Sequence, residues 1–169
     1  MEERVRLTFE EFVRDELASL VRFAGAVTGD EHAAQDVLAE ALMRASVRWR
    51  RVGAMADPAA YVRRIVVTTH LSEQRTRKRR RTDPTGDESL LDGETADPVD
   101  VIVQRDEINR LLARLTRHQR VALVLRYLCD YDDARIATVL GCSSDTVRSH
   151  ISHAKAVLRM SGPAVTDWK

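Results

Sequence analysis

Leu140 to Arg159 reads LGCSSDTVRSHISHAKAVLR. Gly141 can take the positive φ of a tight turn, and Ser143 or Ser144 can cap the helix that follows. After the cap, Val147, Ile151, Ala154 and Leu158 recur every three or four residues, which puts them on one inward face. The other side carries Asp145, Arg148, Ser149, Ser152 and Lys155. Just upstream, a short helix from about Asp132 to Leu140 offers Ile136 and Ala137 for close packing. A short helix, a Gly turn and a longer helix form a helix-turn-helix pattern. An ordinary helical corner has the same outline and stands as the competing reading.

In a helix-turn-helix the start of the second helix enters the major groove of duplex DNA. Ser144, Asp145, Thr146, Arg148 and Ser149 are then nearest base edges or adjacent phosphates. Arg148 can fork onto a guanine edge or bind phosphate, and the sequence leaves both open. Lys155 and Arg159 suit phosphate, as do His150 and His153 when charged.

Working outward, Thr116 and Gln119 have capping-box spacing ahead of Val121, Leu123, Val124, Leu125 and Leu128. Asp97-Pro98 is a cap followed by proline and predicts a helix through Val99, Ile102, Val103, Ile108, Leu111, Leu112 and Leu115. Asp57-Pro58 repeats that signal before Tyr61, Val62, Ile65 and Val66. The β-branched run Val66 to Thr69 lowers helix propensity, yet the apolar spacing and Pro58 favour a helix over a strand. Thr8 and Glu11 form another capping box before Phe9, Phe12, Val13, Leu17, Leu20, Val21 and Ala24. Gly29-Asp30 ends that helix and begins one striped by Ala33, Val37, Ala41 and Ala45, thickened by Leu38, Leu42 and Trp49. Residues 82–97 read TDPTGDESLLDGETAD, where Pro, Gly and acids interrupt every period and predict a flexible linker. The expectation is an all-α chain: a helical domain over 1–81, an acidic linker over 82–97, a helix-turn-helix domain over 98–160 and a short tail over 161–169.

The composition agrees with a soluble helical protein: of 169 residues, 31% are charged and 44% hydrophobic. No signal peptide or membrane span is expected. Cys129 and Cys142 make no CxxC pair, which fits inert thiols in a reducing cytoplasm. The net charge of +1 conceals a division. Six of the seven residues from Arg75 to Arg81 are basic, whereas residues 82–97 hold six acids and no Lys or Arg. Arginine-rich runs suit phosphate recognition. Enzyme chemistry has little support. No Gly-rich phosphate loop precedes a helix. His118, His150 and His153 make no ligand pattern with the cysteines, and His32, Asp36 and Glu40 read as solvated helix charges. No metal, cofactor or catalytic residue is expected.

Both halves together resemble a bacterial RNA polymerase sigma factor of the extracytoplasmic-function type, within the sigma-70 superfamily. The resemblance lies in FEEFVRDELASLVRFAGAVTGDEHAAQDVLAEALMRASVRW, in DPAAYVRRIVVTTHLSEQRTRKRRR and in LARLTRHQRVALVLRYLCDYDDARIATVLGCSSDTVRSHISHAKAVLR. It covers nearly all of residues 8–160. It implies that the first domain binds core polymerase and helps open the −10 promoter element, that the linker runs through the core enzyme, and that the second domain reads the −35 element. Carried over residue by residue, Asp36, Leu38, Glu40 and Arg44 fall on the core-binding helix. Tyr61, Arg63, Arg64, Thr68, Thr69, His70, Ser72 and Gln74 fall on the −10 helix, with Arg75, Arg77, Lys78, Arg79 and Arg80 meeting phosphate. The −35 reader takes Ser144, Asp145, Thr146, Arg148, Ser149, His150 and Lys155, with Arg126 and Arg135 near the DNA backbone. Implied partners are core RNA polymerase, promoter DNA and, where regulation acts in trans, an anti-sigma protein. Neither membrane insertion nor an obligate homo-oligomer is expected. Two features depart from relatives. HLSEQRTRKRRR lacks their aromatics, which implies either capture of a flipped base in a loop pocket with hydrogen bonds from Gln74 or Thr69, or weak melting, and His150 stands where an arginine is common. The alternative is a stand-alone helix-turn-helix regulator that binds duplex DNA without polymerase.

Overall fold

The computed structural model describes residues 7–81 and 107–161, with backbone only over 74–81. Every regular element among them is helical. The order is α1 (Phe9–Thr28), α2 (Glu31–Val47), α3 (Trp49–Val52), α4 (Pro58–Arg81), α5 (residues 107–113), α6 (Arg117–Tyr127), α7 (Asp133–Leu140) and α8 (Ser144–Met160). The boundaries sit where local chemistry puts them. Thr8 and Glu11 cap α1 reciprocally, and Thr116 and Gln119 do the same for α6. Asp30 caps α2, and Gly29 ends α1 at φ 74°. A reciprocal cap satisfies amide groups that no helical carbonyl can reach and contributes about 1 kcal/mol. The β-branched run from Val66 to Thr69 is helical because Val66 and Val67 are wholly buried, so packing overrides propensity.

Helices α1, α2 and α4 pack against one another, as do α6, α7 and α8. The two groups also meet: α1 touches α6, and α4 touches α7. One apolar cluster therefore runs from Phe12, Leu20, Phe23 and Val27 through Val37, Val62 and Val66 to Val121, Leu125, Ile136, Val147 and Ile151. Trp49 anchors the start of α1. Its ring lies 5.3 Å from that of Phe9 and 4.8 Å from that of Phe12, and its Nε1 donates to the Leu7 carbonyl at 2.8 Å.

The stripes shift from those expected. On α1, Leu17 and Val21 are 41% and 51% exposed, because the buried face runs through Phe12, Leu20, Phe23, Ala24 and Val27 instead. On α2, Ala34 rather than Ala33 enters the core. Ile108, expected in an inward stripe, is exposed. The short α3 carries no apolar period of its own and was not expected from the sequence. The acidic stretch 82–97 and the helix start at Asp97-Pro98 lie outside the described residues.

Candidate nucleic-acid interface

The turn between α7 and α8 is built from the residues that suggested it. Asp132 accepts from the Arg135 amide and caps α7. Gly141 takes φ 67°, and Ser143 accepts from the Thr146 amide to cap α8. Ile136, Ala137, Val147, Ile151 and Ala154 are buried between the helices. The outer face of α8 then presents Asp145, Thr146, Arg148 and Ser149 to solvent, with Ser144, His150 and Lys155 half-buried.

Arginines on this face are held by carboxylates. Arg148 donates to Asp145 one turn earlier and, through its other Nη, to Asp133 of α7 at 3.4 Å. The Asp145 hydrogen bond and charge lead in holding the Arg148 guanidinium in its protonated form, and Asp133 adds to them. Arg126 of α6 pairs with the other oxygen of Asp133. Arg135 lies over the Tyr131 ring, 3.8 Å from its centroid, and pairs with Asp57 at 2.9 Å. His150 stacks on His118 with ring centroids 5.7 Å apart. Burial, followed by the charges of His118 and His153, lowers its proton affinity, so His150 is a weaker cation than an arginine there. Lys155 sits 5.5 Å from the Tyr127 ring centroid.

The first half contributes a groove of about 590 Å³ between α2 and α4, lined by Asp36, Glu40, Arg44, Thr68, Thr69, Ser72 and Glu73. It joins polar residues expected on the core-binding helix to residues expected on the −10 helix. Glu40 and Arg44 pair at 2.6 Å. Thr68 and Ser72 donate back to helix carbonyls, whereas the buried Thr69 hydroxyl has no partner. Two expected contact residues do not reach the surface. Leu38 is buried because it fills the α2 side of the core. His70 is 7% exposed at the junction with the second half, where burial, then the charges of Arg117 and Arg120, push its pKa down to about 4. Arg63 is directed to Glu16 at 3.9 Å, Arg64 is exposed, and Tyr61 packs half-buried on the core. The side chains of Gln74, Arg75, Arg77, Lys78, Arg79 and Arg80 lie outside those described, although the helix backbone continues to Arg81.

Sequence reasoning passed over the junction itself. Arg120 buries its guanidinium, with Nε donating to Ala26 O at 2.6 Å in the last turn of α1. Arg117 donates to the His70 carbonyl at 3.3 Å. Neither arginine has a local sequence signature, since the partners lie 94 and 47 residues away. Asp133 was also missed. It reads as an ordinary first-turn acid until its two arginines are seen. Among the described residues there is no cluster able to hold a metal ion, and no helix is long and apolar enough to cross a membrane.

The family model "Sigma-70, region 4" matches residues 105–158, which take in α6, α7 and all but the last two residues of α8. An RNA polymerase sigma-E factor of Streptomyces avermitilis is 34% identical over 153 residues, covering 90% of this chain and 84% of that protein. The chain belongs to the RNA polymerase sigma factors of the extracytoplasmic-function type. The ECF RNA polymerase sigma factor SigL of Mycobacterium tuberculosis is 32% identical over 146 residues, 85% of this sigma factor and 82% of that one. In fold, the sigma factor is similar to RpoE of Bartonella quintana, solved in complex with the anti-sigma factor NepR. The TM-score is 0.67 at 22% identity, over 90% of this chain and 94% of that one. A chain of the PhyRSL-NepR complex from Sphingomonas sp. Fr1 aligns with TM-score 0.61 at 14% identity, over 96% of each.

Proposed function

We infer that this sigma factor binds core RNA polymerase, directs it to promoters by −35 and −10 elements and assists their opening. The observation that carries the reading is the pairing, in one chain, of a helix-turn-helix with a second helical unit whose α4 runs into a basic segment. Duplex recognition falls to α8. Its outer face offers Arg148 for a guanine edge or a phosphate, Asp145 as an acceptor, and the hydroxyls of Ser144, Thr146 and Ser149. Lys155, His150 and Arg126 are assigned to the DNA backbone around it, and Arg135 joins them once its pair with Asp57 opens.

Core polymerase is assigned to the exposed polar side of α2, through Asp36, Glu40 and Arg44. The −10 element is assigned to Arg64, Thr68, Thr69 and Gln74, with Arg75, Arg77, Lys78, Arg79 and Arg80 on phosphate. Among the described residues the groove is lined by polar side chains and no aromatic, which favours capture of a base by hydrogen bonds over stacking. The protein acts as a non-catalytic initiation factor, in the cytoplasm, with the polymerase forming the phosphodiester bonds. Control by an anti-sigma partner is part of the proposal, supported by the like-folded sigma factor held by NepR.

The test is transcription by purified core polymerase from a promoter library, with and without this protein. Protein-dependent starts that share two spaced upstream elements are expected. Duplex binding by the free chain with no core dependence would overturn the reading in favour of a stand-alone regulator.

A further inference from the structure

The two oxygens of Asp133 are divided between two helices. Oδ1 accepts from Arg126 of α6, and Oδ2 accepts from Arg148 of α8 at 3.4 Å. Asp133 belongs to α7, so one carboxylate ties both helices of the helix-turn-helix to each other and to α6. It is also the most enclosed member of the group. Its side chain is 26% exposed, against 59% for Arg148 and 85% for Asp145. With Asp145, the set comprises two cations and two anions and is close to neutral.

Near-neutrality at a DNA-facing surface has two consequences. Phosphates present negative charge on any sequence, so a neutral cluster gains little from an arbitrary duplex. A guanidinium fixed on one edge still directs its remaining donors along a set line. A base edge with matching acceptors can use that direction, and one without them cannot. Asp133 thus removes a sequence-independent attraction while keeping the geometry that reads sequence.

We propose that Asp133 is a positioning residue for promoter recognition, holding Arg126 and Arg148 so that the −35 surface discriminates between sequences at the expense of general duplex affinity. This rests on the −35 reading of α8. Asp133 touches no DNA in this role. It acts through the two arginines, whose phosphate contacts it restrains.

The experiment uses holoenzyme assembled from core polymerase and the full chain, either wild type, Asp133→Asn or Asp133→Glu. Binding is measured over a salt series on three duplexes: a promoter, that promoter with its −35 element replaced, and non-promoter DNA. For Asp133→Asn, binding to non-promoter DNA is expected to rise roughly threefold or more at low salt, with the log–log salt slope steeper by about one as a freed arginine takes a phosphate. The ratio of promoter to −35-replaced binding is expected to fall roughly threefold or more as Arg148 loses its fixed orientation. Asp133→Glu keeps the charge and is expected to keep the wild-type slope. Thermal melting of each free variant separates these effects from loss of fold. An unchanged ratio and slope in Asp133→Asn would overturn the proposal, and so would an equal loss on all three duplexes shared by Asp133→Glu. If the wild-type holoenzyme itself ignored the −35 replacement, the promoter reading of α8 would fall instead.

Discussion

Asp57 serves two partners with one carboxylate: Oδ1 accepts from the Ala60 amide at 2.9 Å at the start of α4, and Oδ2 accepts from Arg135 of α7 at 2.9 Å. A helix cap in the first half is thereby a tether to the second. Burial alone would raise the Asp57 pKa. The Ala60 amide and Arg135, aided by the charge of Arg63, overcome it and hold the carboxylate below its ordinary value of 3.8.

Separating the two roles is a matter of choosing the substitution. Asp57→Asn keeps a capping oxygen and loses the ion pair, and is expected to cost at most about 1 kcal/mol, because half-exposed pairs are screened. Asp57→Ala loses both and is expected to cost about 1–2 kcal/mol. Chemical denaturation of the two variants should give that order. Wild-type stability from this group is present above pH 3.8 and lost as pH falls through the lower folded value, so the Asp57→Ala deficit should shrink in strong acid.

His70 gives the opposite ionic form of the same linkage. With a folded pKa of about 4 and an ordinary value of 6.5, it stays neutral when folded, while the unfolded chain takes up a proton below 6.5. Stability is therefore full above pH 6.5 and declines as pH falls towards 4, by up to about 3 kcal/mol from this group. His70→Gln should flatten that part of the stability profile. An equally steep profile in the variant would place its origin elsewhere.

Three glycines should respond differently to alanine. At Gly29, φ is 74° and a Cβ would fall 2.5 Å from Arg120 Nη1, so both backbone and neighbour resist. At Gly141, φ is 67° but a Cβ would meet nothing within 4 Å. Gly25 lies inside α1 with nothing within 4 Å and no positive φ. Gly29→Ala should cost about 2–3 kcal/mol, combining strain with displacement of a buried arginine. Gly141→Ala should cost about 1 kcal/mol, and Gly25→Ala should stabilise by about 0.5–1 kcal/mol. Melting temperatures should rank Gly25→Ala above wild type, then Gly141→Ala, then Gly29→Ala.

On DNA, Arg148→Ala should reduce initiation from −35-dependent promoters by roughly tenfold and weaken the response to −35 substitutions. Replacing Arg77 and Lys78 with alanine should weaken binding on all promoters alike and lower the salt slope by about two. Run-off transcription against −35 variants checks the first expectation, and a salt titration of holoenzyme binding checks the second.

The helix-turn-helix was readable because its determinants are local. Asp132, Gly141 and Ser143 act within three or four residues of themselves, and a period of three or four marks Val147, Ile151 and Ala154. The capping boxes at Thr8 and Thr116 were legible for the same reason. What escaped is tertiary. Whether Leu38 or His70 faces outward depends on which helices cover α2 and α4, and nothing in their own segments records that. The pairings of Arg120 with Ala26 and of Arg126 and Arg148 with Asp133 join residues on different helices, so that spacing along the chain does not announce them. A surface arginine and a buried one look the same in sequence until the fold supplies the neighbour.

The Ala26 carbonyl waits a long time for Arg120, which lies 94 residues further along the chain. At ribosomal rates of about 5–20 residues per second, that is roughly 5–20 seconds of synthesis. For that interval the end of α1 must rely on water and on Gly29, whose amide donates to Gly25 O at 2.8 Å. The nascent first half thus emerges with its junction face uncovered and Val27 and His70 open to solvent. The seam between the halves cannot begin to close until α6 has left the exit tunnel, and its α4–α7 part waits for α7 as well.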